Sequence, residues 1–98
     1  MNVNINKEDS NLTIEIEGRL DTLTSPELEK EVDTALDGIT NLVVDLKNLE
    51  YISSAGLRVL LGVAQVMEDQ GDMKVINVSS EVMDIFEVTG FDEVLTIE

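Results

Sequence analysis

The chain has 98 residues and a formal net charge of −15, from 21 acidic and 6 basic side chains, with no cysteine and no histidine. Without cysteine there are no disulfides, thiolate metal sites or thiol nucleophiles, and without histidine a Ser-His-Asp triad cannot be built. So acidic a chain is poorly suited to neutralise nucleic-acid phosphates or to approach an anionic membrane surface, whereas a basic protein partner suits it well.

The apolar residues are aliphatic, with two Phe, one Tyr and no Trp, so the core is expected from Val, Leu and Ile. The length fits one domain over residues 1–98. Val3 and Ile5 alternate with asparagines, the period-2 mark of a strand. This start lacks the basic and apolar blocks of a secretion signal. No stretch approaches the ~20 apolar residues of a membrane span, so a cytoplasmic location is expected. Asp9-Ser10-Asn11 reads as a turn. Leu12, Ile14 and Ile16 then alternate with Thr13, Glu15 and Glu17, and the two strands predict a hairpin.

Gly18 interrupts the alternation before Arg19-Leu20-Asp21. Ser25-Pro26 reads as a helix start, with serine as cap and proline in the first turn. Leu28, Val32, Ala35, Leu36 and Ile39 follow at helical spacing, and Gly38 is placed to end the helix. Leu42-Val43-Val44, followed by Asp45 and Leu46, reads as a strand covered on both faces. Lys47-Asn48-Leu49-Glu50 reads as a connection to Tyr51-Ile52.

Beyond Ser53-Ser54-Ala55-Gly56 a second helix is marked by Leu57, Leu60, Leu61, Ala64 and Met67, with Gly71 as its cap. Lys74 to Val78 predicts a strand. Ser79-Ser80-Glu81 opens a third helix with Val82, Ile85, Phe86 and Thr89 inward, closed by Gly90. Val94, Leu95 and Ile97 predict a last strand. The order β-β-α-β-α-β-α-β, with helical crossovers, implies largely parallel strands. Met67, Met73 and Met83 read as core fillers. Asp45 with Asp21 makes a carboxylate pair that nothing else supports as a metal or acid–base site. No phosphate-cradling glycine loop with lysine is present, and no cofactor is expected.

Ser53-Ser54-Ala55-Gly56-Leu57 is the unusual segment, with two hydroxyls and two small residues at a helix entrance. A serine here either caps the helix or stands reachable for modification. A phosphate would add about −1.5 to −2 charge near the positive helix end, where helix amides and Arg58, roughly one turn on, can accommodate it.

Tyr51-Ile52-Ser53-Ser54-Ala55-Gly56-Leu57-Arg58-Val59-Leu60-Leu61 resembles the signature of the STAS-domain anti-sigma factor antagonists. Gly18-Arg19-Leu20-Asp21 and Leu42-Val43-Val44-Asp45-Leu46 resemble earlier family elements, in the family order. The resemblance implies an α/β fold with one mixed four- to five-stranded sheet and helices mainly on one face. It implies a non-enzymatic switch protein. The unphosphorylated form binds an anti-sigma factor serine kinase, the kinase phosphorylates the antagonist and the complex parts, and a phosphatase restores it. Aligned on Gly56-Leu57, the phosphorylated serine falls on Ser54, with Ser53 as the alternative. Many phosphorylated members carry Asp where this chain has Ser53. The partner-binding surface implied comprises Asp21, Thr22, Thr24, Asn48, Tyr51, Ser53, Ser54, Ala55, Gly56 and Arg58. The rival reading is an unphosphorylated STAS scaffold or adaptor in a stress-signalling or transporter assembly.

Overall fold

In the computed structural model, which describes residues 1–98, the chain opens with a hairpin: β1 (Asn2–Glu8) and β2 (Asn11–Leu20) pair antiparallel. Asp9 in the turn takes a left-handed φ of 56°, a conformation that aspartate tolerates better than most residues. Helix α1 (Ser25–Ala35) carries the chain to β3 (Asn41–Ile52), parallel to β2, and α2 (Ser54–Gln70) carries it to β4 (Asp72–Ile76), parallel to β3. The sheet order is β1-β2-β3-β4. Parallel neighbours need crossovers, and crossovers of one hand that step in one direction leave their helices on one face. Helices α3 (Ser80–Thr89) and α4 (Phe91–Val94) complete the chain.

Burial agrees with a single covered face. Leu12, Ile14 and Ile16 of β2, Leu42, Val44 and Leu46 of β3, and Val75 of β4 are buried in one cluster with Leu28 and Val32 of α1, Leu60 and Met67 of α2, and Val82 and Phe86 of α3. The alternate residues Thr13, Glu15, Glu17, Val43, Asp45, Lys74 and Ile76 are none of them buried. Each fully buried Leu or Ile contributes roughly 1.5–3 kcal/mol, so this aliphatic layer holds the fold despite its few aromatics.

Several elements depart from the sequence reading. β3 does not end at Leu46 but continues through residues 47–50 to Ile52. Its pairing with β2 shifts between Glu15 and Glu17 and again between Gly18 and Arg19, each shift inserting one extra residue in β3. The buried positions Leu46, Leu49 and Ile52 are therefore three apart, which hides a strand from a period-2 reading. Nor is β3 covered on both faces, since Val43 and Asp45 stay half-buried.

The buried face of α2 comprises Gly56, Leu57, Val59, Leu60, Val63 and Met67, while Leu61 and Ala64 are half-buried at its flank. Val59 and Val63 turn towards α1, where with Leu28 and Val32 they surround a void of only about 10 Å3. α2 ends at Gly71, as expected, but for a steric reason: a Cβ there would lie 2.0 Å from Thr40 O.

The amide of Asp72 donates to that same Thr40 carbonyl, 2.9 Å, so β4 starts earlier than Lys74. It stops at Ile76, because Asn77 takes a φ of 57°. Thr89 does not face inward; it is exposed and its hydroxyl donates back to Ile85 O, 2.7 Å. The expected last strand is reduced to one parallel bridge between Val75 and Ile97, with Val94 closing the short α4.

Candidate functional site

The parallel strands β2 and β3 end side by side, and α2 begins where they end. The amide of Ser53 donates to Leu20 O at 2.8 Å, joining the last residue of β2 to the residue before α2. The first bond of the helix runs from Leu57 N to Ser53 O, 3.0 Å. The amides of Ser54, Ala55 and Gly56 thus have no helical carbonyl to donate to, as at any helix start.

The two serines of the signature stand in different surroundings. Ser53 is the residue before the helix, with extended backbone, but its side chain makes no capping bond. Its Oγ is buried and has no hydrogen-bond partner. Ser54 is the first helical residue and is exposed. Gly56 is buried because the sheet presses on it: a Cβ there would lie 2.8 Å from both Ile52 Cγ1 and Leu20 Cγ. Ala55 is half-buried and Arg58 exposed, and both line an open groove of about 590 Å3 between α1 and α2, with Thr22, Glu29 and Asp33 opposite.

Residues 21–25 form a self-bonded turn. Asp21 Oδ1 accepts from the amides of Leu23, 3.0 Å, and Thr24, 3.1 Å. The Thr24 hydroxyl accepts from Asp21 N, 2.8 Å, and sits 2.9 Å from Arg19 O as a donor. Ser25 is not the cap that its position suggests: it is buried, and both its amide and its hydroxyl donate to Asp21 O. α1 has no side-chain cap at all; Asp21 Oδ1 instead takes the two amides that precede the helix. The Thr24 amide is the main cause that holds its carboxyl below the usual value of 3.8, against partial burial and aided by the Leu23 amide, the Thr24 hydroxyl and the charge of Arg19.

Asp21, Thr22, Thr24, Ala55 and Arg58 are thus brought to the end of the sheet where Ser54 stands. Asn48 and Tyr51 engage β2 instead. Asn48 Nδ2 donates to Glu17 Oε1, 3.2 Å, and the Arg19 guanidinium lies over the Tyr51 ring, 4.4 Å from its centroid. Asp45, the other carboxylate of the weighed pair, accepts from Lys47 N, 3.0 Å, and Asn77 Nδ2, 3.1 Å. No group of three or more acidic side chains is placed to hold a metal ion, and no helix is long and apolar enough to cross a membrane.

Leu23 escaped the sequence reading. It is 85% exposed at the tip of the self-bonded turn, and the signal that could have found it is a lone leucine between two threonines, in register with neither strand nor helix.

The chain belongs to the STAS domain family, whose model matches residues 2–98. It is 37% identical to the candidate anti-sigma factor antagonist BtrV of Bordetella bronchiseptica over 93 residues, covering 93% of this chain and 80% of that one. It is 26% identical to the anti-sigma-B factor antagonist of Bacillus subtilis over 98 residues, covering 99% and 90% of the two chains. The anti-sigma factor antagonist SpoIIAA, a Bacillus cell fate determinant, shares the fold. Its unphosphorylated form superposes with a TM-score of 0.85 at 19% identity, over 99% of this chain and 88% of that one. Its phosphorylated form gives 0.76 at 18%, over 99% and 91%.

Proposed function

We propose that this chain is an anti-sigma factor antagonist that docks a serine-kinase anti-sigma factor on the surface around Ser54 and is released when Ser54 is phosphorylated. The observation that carries the reading is the contrast between the two serines: the Ser54 side chain is open to a kinase, and the Ser53 hydroxyl is closed off. The names of the relatives support the antagonist role, and the phosphorylated state of SpoIIAA supports a phosphate in this fold. The chain binds its partner and performs no chemistry; it works in the cytoplasm, without nucleic acid or membrane, and a phosphatase resets it.

The physics of release follows from the helix entrance. A phosphate on Ser54 would lie beside the free amides of residues 54–56 and one turn from Arg58, so the free antagonist tolerates it. A docked partner would strip water from the same dianion without offering new donors, at a cost of several kcal/mol. A hundredfold loss of affinity needs only ~2.7 kcal/mol.

The test is incubation with the partner kinase and ATP, followed by intact-mass analysis and pull-down. One phosphate on the wild type and on Ser53→Ala, none on Ser54→Ala, and loss of the complex only where phosphate is added are expected. A complex that persists with no phosphate transferred would instead mark a constitutive adaptor module in a stress-signalling or transporter assembly.

A further inference from the structure

β1 is an edge of the sheet, and its outer side has no strand partner. Glu8 and Asn11 close the hairpin, and the register runs unbroken from them to Asn2 and Glu17. Antiparallel pairs alternate between hydrogen-bonded and non-hydrogen-bonded. Glu8, Asn6, Asn4 and Asn2 therefore turn their backbone groups towards β2, while Val3, Ile5 and Lys7 turn theirs to the free edge. Exposed edges are normally blunted by proline, charge or a bulge. The stretch Val3-Asn4-Ile5-Asn6 has none of these. The nearby charge is drawn aside, since Lys7 Nζ donates to Asp37 O, 3.1 Å, beyond the end of α1.

On the helix side of this edge lies an open groove of about 890 Å3, floored by Met1, Val3 and Ile5 and walled by Glu27, Lys30 and Glu31 of α1. Ile5 is 39% exposed, although it faces the same way as its buried rung partner Ile14.

We propose that the β1 edge accepts an extended segment of another protein as an additional strand, whose groove-facing side chains mix aliphatic residues with Lys or Arg. Its main chain would pair with the outward groups of Val3, Ile5 and Lys7. Its aliphatic side chains would cover Val3 and Ile5. Its long basic side chains would lay their stems on the same floor and carry their charges to Glu27 and Glu31. Charge selects this occupant over a second copy, because two chains of −15 each would bring Glu27 and Glu31 against a like-charged molecule.

The test is NMR titration of isotope-labelled protein with a capped peptide that alternates Thr with Leu and Lys. Amide exchange at Val3, Ile5 and Lys7 should slow by about tenfold or more at saturation, with shifts at Glu27 and Glu31. The same peptide N-methylated on its edge-facing amides, or carrying Glu for Lys, should bind at least about tenfold more weakly. Ile5→Pro removes an outward N–H without touching a β1–β2 bond and should abolish binding. The N-methylated peptide tests the pairing even if that variant fails to fold. Equal binding of the N-methylated peptide, shifts confined to other elements, or no change in β1 at millimolar peptide overturns the proposal. So does a concentration-dependent dimer that Ile5→Pro dissolves, which would assign the edge to a second copy.

Discussion

The carbonyl of Leu20 accepts the amide of Ser53 at 2.8 Å, and the side chain of the same Leu20 lies against Gly56, in the first turn of α2. The last residue of β2 thus sets both the position and the tightness of the helix entrance on which Ser54 stands.

That tightness makes Gly56→Ala destabilising, although Ala is ordinarily the better helix former by about 1 kcal/mol. The new methyl would meet Leu20 Cγ and Ile52 Cγ1, both near the branch of a buried side chain and unable to swing away. Overpacking of this kind costs about 1–3 kcal/mol. Gly71→Ala should cost more, since its methyl would meet the Thr40 backbone. Urea denaturation should rank wild type above Gly56→Ala, and Gly56→Ala above Gly71→Ala. A Gly56→Ala protein as stable as the wild type would mean that α2 is free to move off the sheet.

The same substitution should have opposite signs at two helix starts. Ser79 Oγ accepts from Val82 N at 3.2 Å, a working cap, and Ser79→Ala should cost about 1 kcal/mol. Ser53 precedes a longer helix but caps nothing, and its hydroxyl is buried without a partner. An unsatisfied buried polar group costs roughly 1–3 kcal/mol, so Ser53→Ala should leave stability equal or raised. Equilibrium denaturation of both variants checks the sign. A clear loss on Ser53→Ala would show that its hydroxyl finds a partner in solution.

Asp21 predicts a pH dependence. Its folded pKa lies below the usual 3.8, led by the bond from the Thr24 amide. A carboxyl with a depressed folded value favours folding above its unfolded pKa, and that contribution is lost as pH falls through the folded value. Asp21→Asn keeps a side-chain acceptor but not the charge. It should therefore be less stable than the wild type at neutral pH, with the gap closing in acid below the ordinary carboxylate range. A gap independent of pH would assign the loss to geometry rather than to charge.

Which parts of this molecule could be read in its sequence follows from which forces are local. The hairpin, three helices and the opening of the third at Ser79-Ser80-Glu81 rest on alternation, helical spacing and short-range signals, and were legible. The second half of β3 was not, because its bulges are set by pairing with β2, a partner some 30 residues away in the chain. The turn before α1 deceived for a related reason: Ser25-Pro26 looks like a cap, yet the helix has no side-chain cap and Ser25 is buried with its hydroxyl on the Asp21 carbonyl. Ser53 and Ser54 are indistinguishable as letters, and only packing separates a closed hydroxyl from an open one.

Leu23 supplies the sharpest division between folding and binding. The residue is 85% exposed, so truncation to Ala removes little that the fold uses. Its backbone is nevertheless held, through the Leu23 amide on Asp21 Oδ1, 3.0 Å, in a turn whose Thr22 lines one groove with Ala55 and Arg58 of the α2 entrance. Docking on a turn already held in place needs little backbone ordering, and truncating a residue that anchors an interface costs more than about 1 kcal/mol. Under the proposed kinase docking, Leu23→Ala should therefore melt like the wild type yet bind that partner about tenfold more weakly, as measured by calorimetric titration. Ser54→Ala should do neither and should lose only its response to ATP. Kinase binding that ignores Leu23 while still depending on the state of Ser54 would place the docked partner on the far side of the helix entrance, away from the α1 groove.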